Sequence, residues 1–530
     1  MHASLPPGPA LHQGCSTFAE LYRSAFKAFA SREALVGSGG GVRMTYRELE
    51  QQCHRLVRCF QSLGLQRQDG IAVLATNRPE SVATIIASHL MGLVYTPLHP
   101  LGSEEDQAFI LVDAKVKALV IDLPRHAERG HALARRQLVP HVLTLGPAPY
   151  GTDLLAASSG LDGDSDIGLD VRPDDILKIA YSGGTTGQSK GIVHHQRTVV
   201  TSALQQLAGW EWPEEVRFLA ATPVSHAAGA MILTTFLQGG TVHLLERFTP
   251  GGFLQAVAAE RITTTFLVPT QIYGLLDSPE LSEHDIASLR LVLYGAAPMA
   301  PARLRQALGR IGPLFAQVYG QAEAPMTISY LRRDEHDLDR PELLGSCGRS
   351  LPGNQVRLLD ADHREVPMGE IGELCVRGPL VMSGYLNRPV DTAKAFAGDW
   401  LHTGDMARRD ADGYLYLVDR AKDMIISGGF NVYSSEVESC LAQHPAVALS
   451  AVIGVPHEKW GEAVMAVVVV KEGARVDGAE LIAFVTARKG VVQAPKAVEF
   501  VDALPLTALD KVDKKALRAR YWAGRDRQVG

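Results

Sequence analysis

The densest run of potential chemistry is Tyr181-Ser-Gly-Gly-Thr-Thr-Gly-Gln-Ser-Lys-Gly191. Gly183, Gly184 and Gly187 let backbone N–H groups approach an anion closely. Ser182, Thr185 and Thr186 add hydroxyl donors, and Lys190 adds positive charge. Such a loop suits phosphate groups; taken alone it also suits a plain glycine-rich turn. It is not a Walker A loop. The second glycine of that motif would fall on Gln188, and Lys190 is followed by Gly191, not Ser or Thr. A P-loop kinase or GTPase is therefore a poor fit.

Four further strings carry candidate chemistry. In Tyr319-Gly-Gln-Ala-Glu323 an aromatic face can stack on a purine, and Glu323 can hold Mg²⁺ beside phosphates. A buried tyrosine followed by a helix-starting glutamate fits the same string. In Trp400-Leu-His-Thr-Gly-Asp405, Asp405 can bind both hydroxyls of a ribose, with Arg420 nearby to bridge ribose and phosphate. A turn aspartate and a surface arginine are the plainer alternative. From Lys422 to Glu436, Gly428 and Gly429 permit a close backbone approach, and Ser434 reads as a helix start. Finally, 504–518 reads as a loop entering a basic helix, or simply a solvated charged tail.

The elements that must position these residues read as α/β. Phe18, Leu21, Tyr22, Ala25 and Phe29 recur at helical spacing, as do Leu49, Cys53, Leu56, Val57 and Phe60. Thr45 with Glu48 forms a capping-box pattern, and Gly64 sits where a helix C′ glycine belongs. Apolar runs at 71–75 and 118–122 alternate with a helical stretch at 79–91, which argues for a mostly parallel sheet. Residues 146–173, rich in small and polar types, read as a surface connection. Strands are expected near 176–182, 218–222, 263–268, 289–294 and 314–319. From about 340 a smaller β unit is expected, with strands at 355–359, 372–377 and 414–418. After Arg420 comes a compact α+β tail with strands at 450–455, 464–470 and 498–501.

Composition narrows the function classes. The chain has 530 residues and a net charge of −6, too weak a balance for an electrostatic nucleic-acid binder. The six cysteines form no C-x-x-C pair, so reduced thiols in a cytoplasmic protein are expected and not a zinc site. The longest apolar run, 463–470, is a strand's length and too short to span a membrane. Residues 1–13 lack the pattern of a secretory signal.

In their order and spacing the five strings resemble the AMP-forming acyl-CoA synthetases, the adenylate-forming superfamily of aryl-CoA ligases, peptide-synthetase adenylation domains and firefly luciferase. The resemblance spans roughly residues 17–518. It implies a large N-terminal domain (1–421) of two α/β subdomains plus a small β unit, then a small mobile α+β C-terminal domain (422–530). It implies ATP, Mg²⁺ and coenzyme A as cofactors and a carboxylic acid as substrate. A carrier-protein thiol as acceptor is the alternative.

By the same resemblance, Ser182–Gly191 wraps the β- and γ-phosphates and Tyr319 stacks on adenine. Gly295, Ala296 and Ala297 border the base, and Gly320, Gln321 and Ala322 complete the nucleotide site. Glu323 binds Mg²⁺. Asp405 holds the ribose, with Arg420 close by. Lys422 is the hinge, Lys511 reaches the α-phosphate and the substrate carboxylate, and Gly428, Gly429 and Phe430 border the pantetheine tunnel. His226 lies between carboxylate and tunnel, where a packed structural histidine is the alternative.

The acyl pocket then includes Val224, Ala227, Gly229, Tyr273, Pro325 and Met326, an apolar set suited to a neutral aliphatic or aromatic tail. No Asp or Glu lies in 220–232 to pair a substrate ammonium, which argues against an α-amino acid. Small residues such as Ala227 and Gly229 suggest room for more than acetate. The chain departs from the family pattern at Gly183, Ser189, Ala322 and Asp510, where Ser, Pro, Thr and Gly are usual. The Ala322 change removes one hydrogen bond to phosphate, about 1–2 kcal/mol.

Overall fold

The computed structural model describes residues 17–522, except 101, 124, 169, 183–188, 421–422, 428–429, 459 and 508–510. The first helix, Phe18–Ala28, starts at Thr17, whose side chain accepts from Glu20 N–H while Glu20 reaches back. The helix Tyr46–Ser62 carries the same reciprocal cap through Thr45 and Glu48. Gly64 follows it at φ 79°, a left-handed position that glycine adopts at little cost.

Two large sheets dominate, and helices fill the space between them. One sheet has nine strands and the other eight. Their main strands run parallel, as in the pairings of Thr264–Leu267 with Leu291–Gly295 and of Gly70–Leu74 with Val116–Asp122. The largest core cluster joins inward side chains of both sheets, such as Phe218 and Val120, to Phe26, Phe60, Ile86 and Phe236 of the intervening helices. Each such fully buried side chain stabilises by about 1.5–3 kcal/mol. Tyr46 is also fully buried, and its hydroxyl donates to Gly240 O at 2.6 Å, so its polar end is satisfied. Separate clusters cover the outer faces of the two sheets.

A four-stranded antiparallel sheet, including Gln355–Leu359, Gly372–Arg377, Leu401–Arg409 and Leu415–Arg420, forms the small β unit. A further mixed sheet is built on the long antiparallel pair Val447–His457 and Gly461–Val470, covered by the helices Ser434–Leu441 and Gly478–Lys489. The fold is thus a large N-terminal α/β part with a β unit and a small α+β C-terminal part. Among the described residues no helix is long and apolar enough to cross a membrane.

Two local readings change. The stretch 146–173 is more than a surface connection. It holds the strand Thr152–Asp153 and the helix Leu154–Ser158, with Leu154 fully buried. The strands Lys190–His195 and Ala324–Leu331, absent from the sequence reading, return antiparallel to the strands before them. The helix start read at Ser434 is present, as the helix Ser434–Leu441.

Candidate functional site

The strand Phe315–Gln321 and the strand Ala324–Leu331 make a hairpin, with Gln321 paired to Ala324. Ala322 and Glu323 are its tip, so Glu323 starts no helix. Gly320 is required just before the tip: a Cβ there would lie 2.4 Å from Met326 N. Gly295, at the end of the neighbouring parallel strand, is equally constrained, since its Cβ would lie 2.3 Å from Val318 O. Ala296 follows at φ 66°, a left-handed conformation that costs a non-glycine residue about 1–2 kcal/mol. Ala296 is exposed and Ala297 half-buried.

Tyr319 and Asp405 meet, although 86 residues separate them. The buried phenol donates to Asp405 Oδ2 at 2.6 Å. Burial, then the adjacent carboxylate, pushes the Tyr319 phenol well above its ordinary value, so it stays a donor. Asp405 N–H donates to Thr403 Oγ1 at 3.1 Å, which fixes the carboxylate's backbone. Arg420 is the strand partner of Asp405 across the antiparallel pair.

Glu323 is held by Tyr385, whose hydroxyl donates to Oε1 at 2.9 Å. Lys190 Nζ lies 5.2 Å from the centre of the Tyr385 ring and donates to Asp391 at 2.7 Å. One tyrosine therefore joins the loop lysine to the hairpin carboxylate. Tyr385 and Asp391 were missed from the sequence, where they lie in an unremarkable run after Gly384. Any phosphate that engages Lys190 competes with Asp391. Partly exposed ion pairs are worth at most about 1 kcal/mol. Asp391→Asn is therefore expected to lower the KM for ATP by no more than about fivefold. Steady-state titration with ATP checks this; a raised KM would show that Asp391 orients Lys190 instead of competing for it.

The Ala322 carbonyl accepts from His194 Nε2 at 2.7 Å, which ties the tip to the strand Lys190–His195. His226 precedes the helix Ala227–Leu237. Its Nδ1 lies 2.8 Å from Ser225 Oγ, and its ring stands edge-on to His99 at 4.8 Å. Desolvation, then the charges of His99, Lys178 and Lys511, lower its pKa to about 3. Lys511 thus lies within electrostatic reach of His226. It is fixed by its own turn: Thr507 N–H donates to Lys511 O at 2.6 Å, and Lys511 N–H donates to Thr507 Oγ1 at 3.3 Å.

The same burial lowers His89 and His243 to about 3, and His99, His194 and His336 to about 4. Between these values and the unperturbed 6.5 the unfolded chain binds more protons than the folded chain. Stability therefore rises with pH across that window and is lost as pH falls below about 6.5. The thermal midpoint is expected to drop between about pH 7 and 5, before carboxylates titrate. A midpoint flat over that range would contradict the buried neutral histidines.

The expected acyl stretches are only partly united. Val224 is buried, and its N–H donates to Asn77 Oδ1 at 2.8 Å. Ala227 and Met326 pack against the core between the sheets. Pro325 O accepts from Ser202 at 3.1 Å, and Met326 adopts φ 64°. Gly229 adds no room. A Cβ there would lie 1.9 Å from Val224 O, so its smallness serves a close backbone approach. Tyr273 packs with the outer cluster; its hydroxyl accepts from Ala300 N–H at 2.9 Å, and Arg303 lies 4.8 Å from the ring centre. Phe430 is 60% exposed on a short strand paired to Ile425–Ser427. Gly183, Gly184, Thr185, Thr186, Gly187, Lys422, Gly428, Gly429 and Asp510 lie outside the described residues. Of Ser182 and Arg420 only the backbone is described.

Residues 22–386 match the family model described as AMP-binding enzyme, and residues 436–511 match its C-terminal domain. The chain belongs to the AMP-binding enzyme family. Within this family of AMP-forming acid–thiol ligases it is 45% identical to a medium/long-chain-fatty-acid–CoA ligase of Mycobacterium tuberculosis, over 93% of this chain and 88% of the relative. It is 38% identical to a feruloyl-CoA synthase of an Amycolatopsis species, over 93% and 97% of the two chains. Among solved structures, the amide bond synthetase of Marinactinospora thermotolerans superposes with a TM-score of 0.87 at 36% identity, covering 95% of this chain and 100% of that one.

Proposed function

We propose that the chain activates a carboxylic acid with ATP, forming acyl-AMP and pyrophosphate, and then passes the acyl group to the thiol of CoA with release of AMP. The observation that carries this reading is the grouping of Tyr319, Asp405, Glu323 and Lys190 around one hairpin, with Lys511 in electrostatic reach of His226. Tyr319 supplies an aromatic wall for adenine and Asp405 a carboxylate for the ribose hydroxyls. Lys190 supplies positive charge for the phosphates.

A carboxylate attacks the α-phosphorus slowly because both partners are anions. Lys190 and Lys511 lower that repulsion electrostatically. Glu323 is the residue that would hold Mg²⁺. Its Oε1 accepts from Tyr385, the ring that also lies beside Lys190, and as a hard oxygen donor it fits that ion. Bound there, Mg²⁺ neutralises phosphate charge. Residues 1–421 form the adenylating part and 422–530 a lid that brings Lys511 to the site. The five described cysteines are free and buried, in keeping with a reducing, cytoplasmic setting.

The tail accepted is a medium or long fatty chain or an aryl group, the classes named for the two relatives above. The test is a panel of straight, branched and aryl acids with ATP and CoA, read by mass spectrometry. Acyl-CoA together with AMP from one class is the expected result. An acyl product formed on an amine or a carrier protein but never on CoA would overturn the acceptor.

A further inference from the structure

Lys178 is a half-buried lysine with no carboxylate partner among the described residues. It stands on the strand Ile176–Ser182, opposite Tyr95 on one neighbouring strand and His194 on the other. Among the described residues no carboxylate or carbonyl accepts from its Nζ. Its Nζ lies 5.9 Å from the centre of the Tyr95 ring. Desolvation lowers its pKa to about 8, yet the residue keeps some accessible surface. A half-buried ammonium with no carboxylate beside it is available to an oxygen function brought by a ligand.

The neighbouring polar atoms share the deficit. Tyr95 Oη, His89 Nδ1 and His194 Nδ1 are buried with no partner among the described residues. His89 stands edge-on to Tyr95 at 5.7 Å, and the charge of Lys178 is felt at His89, His194 and His226. His194 gives its Nε2 proton to Ala322 O, so its Nδ1 is a lone-pair acceptor. Donors from Lys178 and Tyr95 and an acceptor from His194 are thus left unpaired in one neighbourhood. That neighbourhood adjoins the expected acyl stretch: Ala322 begins the turn into Pro325 and Met326, and Ala227 and Met326 pack on the core that contains Tyr95. Buried polar groups are rarely left unmatched in this way without a ligand or water to fill the gap.

We propose that Lys178, with Tyr95 and His194, forms a subsite for an oxygen function on the tail of the acid, so that preferred substrates carry a hydroxyl, oxo or second carboxyl group away from the reacting carboxylate. The inference rests on the acid-activating reading above and narrows its substrate class. An oxygen acceptor on the tail takes protons from Lys178 and Tyr95, and a hydroxyl also gives its own to His194. A plain alkyl tail would cover the ammonium and leave it unmatched.

The experiment compares acids of equal chain length that are plain, hydroxylated, oxo-substituted or dicarboxylic, and aryl acids with and without a phenol. Wild type, Lys178→Met and Lys178→Gln are each measured by pyrophosphate release and by calorimetric binding of the acid. Wild type is expected to favour at least one oxygenated acid over its plain match by about tenfold in kcat/KM and in affinity. In Lys178→Met that ratio should fall to about twofold or less. Lys178→Gln keeps a donor without charge, so it should retain the ratio for a hydroxyl or oxo group and lose it for a carboxylate. An equal loss for every acid would overturn the proposal and assign Lys178 to the reacting carboxylate or the nucleotide. A wild type that favours plain acids would also overturn it. Acids that bind calorimetrically without any pyrophosphate release would refute the catalytic reading instead, and the binding ratios would still decide the subsite.

Discussion

Lys511→Ala is expected to lose acyl-adenylate formation by roughly a thousandfold or more while keeping thioester formation from pre-made acyl-AMP. The first step joins a carboxylate to a polyphosphate, and its barrier is largely repulsion between anions. A positive charge placed where that repulsion peaks acts on this step alone. The Lys511 charge is the smallest of the causes that lower the His226 pKa, after desolvation, His99 and Lys178, and Thr507 pins its backbone. In the second step a thiol attacks an acyl group already activated, and AMP leaves. The charge is then no longer needed. Single-turnover assays of the two steps, each started from its own substrates, check the split. If thioester formation from acyl-AMP collapsed as well while the fold stayed intact, Lys511 would have a general structural role and the assignment would fail.

The second large effect is expected at Asp405. Replacing it with alanine removes the carboxylate proposed to hold the ribose hydroxyls, and charge-assisted hydrogen bonds contribute about 1.5–3 kcal/mol each. The loss of two corresponds to a KM for ATP raised about a hundredfold or more. The same change leaves the buried Tyr319 hydroxyl without its acceptor, which costs about 1–3 kcal/mol of stability. The two consequences separate in the double variant. Adding Tyr319→Phe removes the stranded hydroxyl and should recover most of the stability, while the KM defect stays. Thermal unfolding and ATP titration of the single and double variants check both. An Asp405→Ala enzyme with an unchanged KM for ATP would mean that the aspartate serves Tyr319 alone.

Much of this arrangement is legible in the chain because local rules fix it. Thr45 and Glu48 announce a helix start, and that reciprocal cap is present. Runs of β-branched and apolar residues mark the central parallel strands, which have little choice but to be buried. The strands Lys190–His195 and Ala324–Leu331 are harder to read. They follow glycine-rich or polar sequence, and they pair backwards onto strands whose partners no local pattern reveals.

The site residues divide in the same way. Tyr319, Glu323 and Asp405 stand in strings of recognisable type. Tyr385 and Asp391 meet Glu323 and Lys190 only through the fold, and the Lys190–Asp391 contact spans 201 residues. Lys178 is hidden in an otherwise apolar strand, where a sequence reading sees a single interruption. Gly229 shows the opposite error. A small residue suggests space, yet the direction its side chain would take is filled by the Val224 carbonyl.

The central claim is a reaction in two steps through an acyl-adenylate. Its most direct test is exchange of labelled pyrophosphate into ATP in the absence of CoA, with and without a carboxylic acid that the enzyme converts. Exchange is expected to require the acid and Mg²⁺, to proceed without CoA, and to be lost in Lys511→Ala. Exchange that appears only when CoA is present, or cleavage of ATP to ADP and phosphate, would contradict it.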